Sequence, residues 1–226
     1  MTAPSSHPGH LSTSLVIPPA GLEGTLEVPA GAEAVVVFAH GSGSSRHSPR
    51  NQQVAETLRR AGLATLLCDL LSEDEAADPR NVFATGLLAR RLEAAVHCAT
   101  SHGTTEGLPV GLFGASTGAA AALVAAAERP ATVGAVVSRG GRPDLAGELC
   151  LRNVAAPTLL IVGGADRRVL ELNEWARAAM TCPTELAIVQ GATHLFEEAG
   201  ALEQVADLAA AWFRRWLVTE ADHAEV

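Results

Sequence analysis

Six short runs of mainly β-branched residues and leucine recur along the chain: AVVVFAH (34–40), LATLLCDL (63–70), LPVGLFG (108–114), VGAVVSRG (133–140), PTLLIVGG (157–164) and TELAIVQG (184–191). They are apolar on successive residues instead of alternating, as strands covered on both faces of a parallel sheet must be. Helical spacing fills the gaps. Residues 82–100 align Leu88, Leu92, Ala95 and Val96, and residues 201–217 align Val205, Leu208, Ala209, Trp212 and Trp216. The tryptophans read as core anchors at that spacing. Strands alternating with helices define the α/β class, with a mostly parallel twisted sheet and helices on both faces. The segment HLSTSLVIPPAGLEGTLEVPA, before Ala34, is broken by Pro and Gly and predicts a hairpin or meander at one sheet edge.

A length of 226 residues suits a single domain, with a core over about 11–217 and flexible tails at 1–10 and 218–226. The formal net charge of −9 argues against nucleic acid as a partner, since phosphate binding needs a basic surface. No apolar run approaches the roughly 20 residues that span a bilayer, so no membrane association is expected. The first ten residues, MTAPSSHPGH, lack the basic and apolar regions of a signal peptide. Cys68, Cys98, Cys150 and Cys182 are widely spaced, as buried free thiols of a cytoplasmic protein are, and form no metal-binding pattern.

In sheets of this kind ligands bind beyond the carboxyl ends of the strands. Four strand ends carry chemistry: His40-Gly41-Ser42-Gly43-Ser44-Ser45-Arg46, Gly114-Ala115-Ser116-Thr117-Gly118, Gly163-Gly164-Ala165-Asp166 and Gln190-Gly191-Ala192-Thr193-His194. The second is a G-x-S-x-G between a strand and a helix, where small residues allow a strained turn that lifts the serine above the sheet. A turn shaped only for helix packing would have the same composition. Serine needs a base, and His194 follows the last strand, with Asp166 before it, in the order Ser…Asp…His. An aspartate accepting from one imidazole nitrogen fixes the tautomer that aims the other at the serine. The backbone N–H groups of Thr117 and Ser42 are the expected oxyanion donors.

Through FAHGSGSS, GLFGASTGAA, LLIVGGAD and GATHLFEE the sequence resembles the α/β-hydrolases, and within them the dienelactone hydrolase-like proteins. The resemblance covers about residues 11–217. It implies an α/β-hydrolase fold, a Ser116–Asp166–His194 triad and no cofactor or metal. Dienelactone hydrolases proper use cysteine where this chain has Ser116, which favours carboxylesterase-type chemistry over lactone cleavage. Only residues 139–157 separate two successive strands where many relatives insert a cap domain, so an open site for small or medium acyl esters is expected. Acyl transfer would use the same residues.

Arg46 and Arg139, at strand ends, offer forks for an anionic substrate, although loop arginines more often pair with surface acids. His40 and His47 read as loop-shaping residues. A dinucleotide-binding reading of the first loop, with Asp69 on a ribose, lacks the third glycine, where Arg46 stands. A non-catalytic binding module on the same scaffold is the other alternative.

Overall fold

The computed structural model describes residues 10–218; the expected tails at 1–10 and 218–226 lie outside them except for His10 and Val218. The strands are β1 (Leu11–Ile17), β2 (Leu22–Val28), β3 (Ala34–Ala39), β4 (Leu63–Cys68), β5 (Val110–Ala115), β6 (Val133–Arg139), β7 (Thr158–Gly163) and β8 (Thr184–Val189). They form one eight-stranded sheet in the order β1-β2-β4-β3-β5-β6-β7-β8. β1 and β2 make the expected edge hairpin, and β2 is also antiparallel to β4. All other pairs are parallel.

The helices are α1 (Pro49–Arg60), α2 (Glu73–Ala76), α3 (Pro79–Val82), α4 (Thr85–Ser101), α5 (Thr117–Glu128), α6 (Glu148–Asn153), α7 (Arg167–Ala179) and α8 (Ala201–Leu217). Alternate residues of β3 enter two separate cores. Val35, Val37 and Ala39 pack beneath α4 and α5, while Ala34, Val36 and Phe38 pack beneath α1 and α8. Every residue of β3, β4, β5 and β7 is buried, which explains their unbroken apolar sequences.

Three expectations need correction. β8 is a sheet edge, and only Val189 of its six residues is buried, so its apolar run does not mark a central strand. Of the cysteines only Cys68 is buried; all four are free, and the other three are half-buried. Trp212 is buried, with its indole N–H donating to Pro157 O at 3.3 Å, but Trp216 is half-buried under Arg215. The short α2 and α3 were not anticipated: each has a helix-start signal, the Ser72–Glu75 capping box and Asp78-Pro79, but only four residues and no periodicity. Between β6 and β7 there is a 3-10 turn (Pro143–Ala146) and the six-residue α6, and no cap is built there.

The glycines around Ser116 are required by close backbone packing. A Cβ on Gly114 would press on the backbone of Ala119, and one on Gly118 would strike Ala39 O and lie 2.5 Å from His40 O. Gly41 lets its loop approach the serine, since a Cβ there would stand 3.0 Å from Ser116 Cβ. Gly118→Ala is therefore expected to destabilise the fold by about 3 kcal/mol, because backbone must move to admit the methyl group. Urea unfolding measures this, and an unchanged midpoint would contradict the contact between α5 and the end of β3.

Candidate active site

Ser116 joins β5 to α5 with φ 50° and ψ −118°, a backbone conformation that a residue with a side chain adopts only under constraint. Its N–H donates to Arg139 O at 3.1 Å, and its O accepts from Ala119 N and Arg142 N, both at 3.1 Å. The peptide is thus pinned from β6 and from its own helix. A serine at a helix N-cap ordinarily spends its hydroxyl on the first turn. Here the side chain makes no capping bond. Its Oγ instead lies 3.4 Å from His194 Nε2.

His194 reaches that point from the loop after β8. Its Nδ1 is 2.7 Å from Asp166 Oδ2, so Nδ1–H donates to the carboxylate and Nε2 is left as the acceptor facing the serine. Asp166, after β7, also N-caps α7, with Oδ1 accepting from Val169 N at 3.5 Å. The cap holds the carboxylate still while its other oxygen holds the imidazole. Three strand ends, 78 and 28 residues apart in sequence, thus meet at one row of side chains.

Two features of the histidine loop had no sequence signal beyond their presence in GATHLFEE. Phe196 is buried at φ 56°, and its ring lies 5.9 Å from the Arg139 guanidinium carbon, which anchors the loop from below. Glu198 accepts from Thr193 N at 3.1 Å, and this bonding holds its carboxyl below the usual range. On the other side, the buried Asn173 of α7 donates to Gly141 O at 3.0 Å, bracing the segment after β6.

Thr117 is the first residue of α5, where an amide has no intrahelical acceptor. Among the described residues the Ser42 N–H also has no backbone acceptor. Both residues line a cavity of about 610 Å³ whose wall also includes Ala20 and Gly21 of the β1–β2 turn and Glu73 and Ala76 of α2, but not His194. His40 shapes this loop: its Nδ1–H donates to Gly41 O at 3.0 Å and its Nε2 accepts from Leu70 N at 3.1 Å. Burial keeps its pKa below the ordinary imidazole value, so the ring is neutral. His47 lines the cavity wall, and its amide donates to Ser45 Oγ.

The arginines sit differently from one another. Arg46 is committed: its guanidinium bridges Asp69 and Glu23, and its amide donates to Asp69 Oδ1 at 2.8 Å. Both oxygens of Asp69 are thus engaged by Arg46, and α1 begins only at Pro49, capped by Ser48, so the loop is not the tight strand-to-helix turn of a dinucleotide site. Arg139 is buried on the α1 face, with Nε and Nη1 unpartnered among the described residues. Burial, and then the neighbouring Arg50 charge, brings its pKa down to about 10. Burial pushes the Cys68 thiol up to about 12 and Cys150 to about 11, so neither is a thiolate nucleophile near neutrality. Among the described residues no cluster of three or more metal-ligating side chains occurs, and no helix is long and apolar enough to cross a membrane.

Known proteins share this fold. A dienelactone hydrolase from Anabaena variabilis is 54% identical, with a TM-score of 0.87 over 92% of this chain and 98% of that one. Est1E from Butyrivibrio proteoclasticus shares the fold at 16% identity, with a TM-score of 0.76 over 90% of this chain and 98% of its own. A Mycobacterium tuberculosis H37Rv protein named as a candidate phosphoribosyl transferase is 58% identical over 199 residues, 88% of this chain. That stretch is only 45% of the relative, so the chain spans under half the length of the curated proteins it matches. Residues 22–219 match the model of the dienelactone hydrolase family. With its α/β-hydrolase fold, the chain belongs to that family.

Proposed function

We propose that the protein is a serine hydrolase that cleaves carboxylic esters of small to medium acyl groups through an acyl-enzyme. One observation carries this reading: a serine hydroxyl in a strained turn, unspent on capping, facing an imidazole whose other nitrogen is held by a carboxylate. His194 takes the Ser116 proton as the hydroxyl attacks the ester carbonyl. Asp166 orients the ring and stabilises the imidazolium. The amides of Ser42 and Thr117 receive the tetrahedral oxyanion. His194 then protonates the departing alcohol, and water, activated by the same ring, releases the acid. The contact of 3.4 Å is longer than a strong hydrogen bond, and proton transfer requires it to shorten in the substrate complex.

The substrate partner is a small-molecule ester, and the chemistry draws on no metal or organic cofactor. Lactone hydrolysis and acyl transfer to another acceptor are variants of the same acyl-enzyme. The phosphoribosyl transferase name belongs to proteins more than twice the length of the matched segment. In this reading the segment shared with them contributes the serine chemistry, and phosphoribosyl transfer is assigned to the remainder of those proteins.

Two predictions separate the mechanism from a packing role for these residues. Ser116→Ala and His194→Ala each lower kcat on p-nitrophenyl butyrate by about 10³-fold or more, with the urea midpoint unchanged. Near wild-type turnover in either variant contradicts the mechanism. Asp166→Asn keeps a good helix cap, so stability stays within about 0.5 kcal/mol of wild type. Its kcat nonetheless falls by roughly 10²-fold or more, because the amide selects the wrong imidazole tautomer. A loss of stability that accounts for the loss of activity contradicts the orienting role.

A further inference from the structure

The cavity beside Ser42 and Thr117 has a sidedness that identifies which half of an ester it holds. Its wall includes both expected oxyanion donors, Ser42 and Thr117, but none of Ser116, Asp166 and His194, so it opens beside the triad and on the oxyanion side of it. The departing alcohol must leave next to His194 Nε2, where it receives its proton. A carbonyl oxygen at the two amides and an alcohol oxygen at the histidine leave only the third substituent, the acyl chain, to enter the cavity.

The charges around that space are uneven. Its walls present three carboxylates, Glu23, Asp69 and Glu73, and one guanidinium, that of Arg46. The guanidinium already bridges Asp69 and Glu23, so it offers no free fork to an incoming acid. Glu73 has no ion-pair partner among the described residues. His40 is held neutral by burial, which outweighs the opposing pull of its hydrogen bond to Gly41 O and of the Asp69 charge. Leu22, Leu71, Val82 and Leu88 supply apolar surface, and Ser42, Ser44, Ser45 and Ser72 supply neutral polar surface. The space is therefore of mixed polarity and carries net negative charge.

We propose that this cavity is the acyl-binding site, and that its carboxylates select acyl groups without a negative charge, rejecting those that end in a carboxylate. The inference rests on the hydrolase reading above. It also reverses the expectation that Arg46 would hold an anionic substrate: a guanidinium bridging two carboxylates supports the wall of the site and is not available to the ligand. Because Glu23 and Glu73 are exposed, their repulsion reaches the substrate through water and is screened by salt.

The test compares three p-nitrophenyl esters of equal reach at pH 8.5, above the ordinary range of imidazole: hexanoate, hydrogen adipate and 6-(trimethylammonio)hexanoate. At low ionic strength kcat/KM for the adipate is expected to be about 10-fold below hexanoate, with the cationic ester at or above hexanoate. In 0.5 M NaCl the adipate gap should close to about 3-fold. Glu73→Gln should narrow the ratio between hexanoate and adipate in the same direction. An adipate hydrolysed as fast as hexanoate, or a gap indifferent to both salt and Glu73→Gln, overturns the inference. A preference for adipate that disappears in Arg139→Met would also overturn it and place the acid on Arg139. Failure to turn over any of the three esters, with no fluorophosphonate adduct on Ser116, would overturn the hydrolase reading itself, an outcome distinct from a reversed charge preference.

Discussion

The backbone at Ser116 is the constraint on which the carboxyl end of the sheet depends. A φ of 50° on a residue with a side chain costs free energy, of order 1–3 kcal/mol, and persists only where its surroundings enforce it. Here they do so from three sides. Gly118 lets α5 sit against the carbonyls of Ala39 and His40, Gly114 admits the backbone of Ala119, and Gly41 brings the first loop to the serine Cβ. β6 adds the bond from Ser116 N to Arg139 O. The turn therefore cannot relax without separating β3, β5 and β6 from α5. The packing of a parallel sheet is converted into the exposure of one hydroxyl.

The same economy appears in the partners. Asp166 caps α7 with one oxygen and holds His194 with the other, so the helix sets the position of the carboxylate. The histidine loop is tied down by Phe196, buried in a left-handed conformation, and by the carboxylate of Glu198 on Thr193 N. Neither is part of the proposed proton relay. Both restrict where an imidazole on a loop between β8 and α8 can go.

Much of this was legible in the sequence because it rests on local chemistry. Unbroken apolar runs marked β3, β4, β5 and β7, and the residues just after β3, β5, β7 and β8 included every side chain that meets at the site. What escaped is what depends on tertiary position. The run TELAIV looks central but forms an edge, since its place is set by which strands lie beside it, and no pattern within six residues records that. α2 and α3 are four residues each, too short for periodicity, yet α2 walls the cavity. Arg46 could be read as an anion fork because its partners, Asp69 and Glu23, lie 23 residues away on either side and converge only when β2 pairs with β4.

The central claim is that Ser116 is an activated nucleophile, and covalent labelling tests it most directly. The folded protein would be treated with a fluorophosphonate, weighed intact by mass spectrometry and mapped by peptide. One stoichiometric adduct on Ser116 is expected, strongly slowed in the His194→Ala variant. No adduct on folded protein, or an adduct on Ser116 formed equally fast without His194, would contradict the claim.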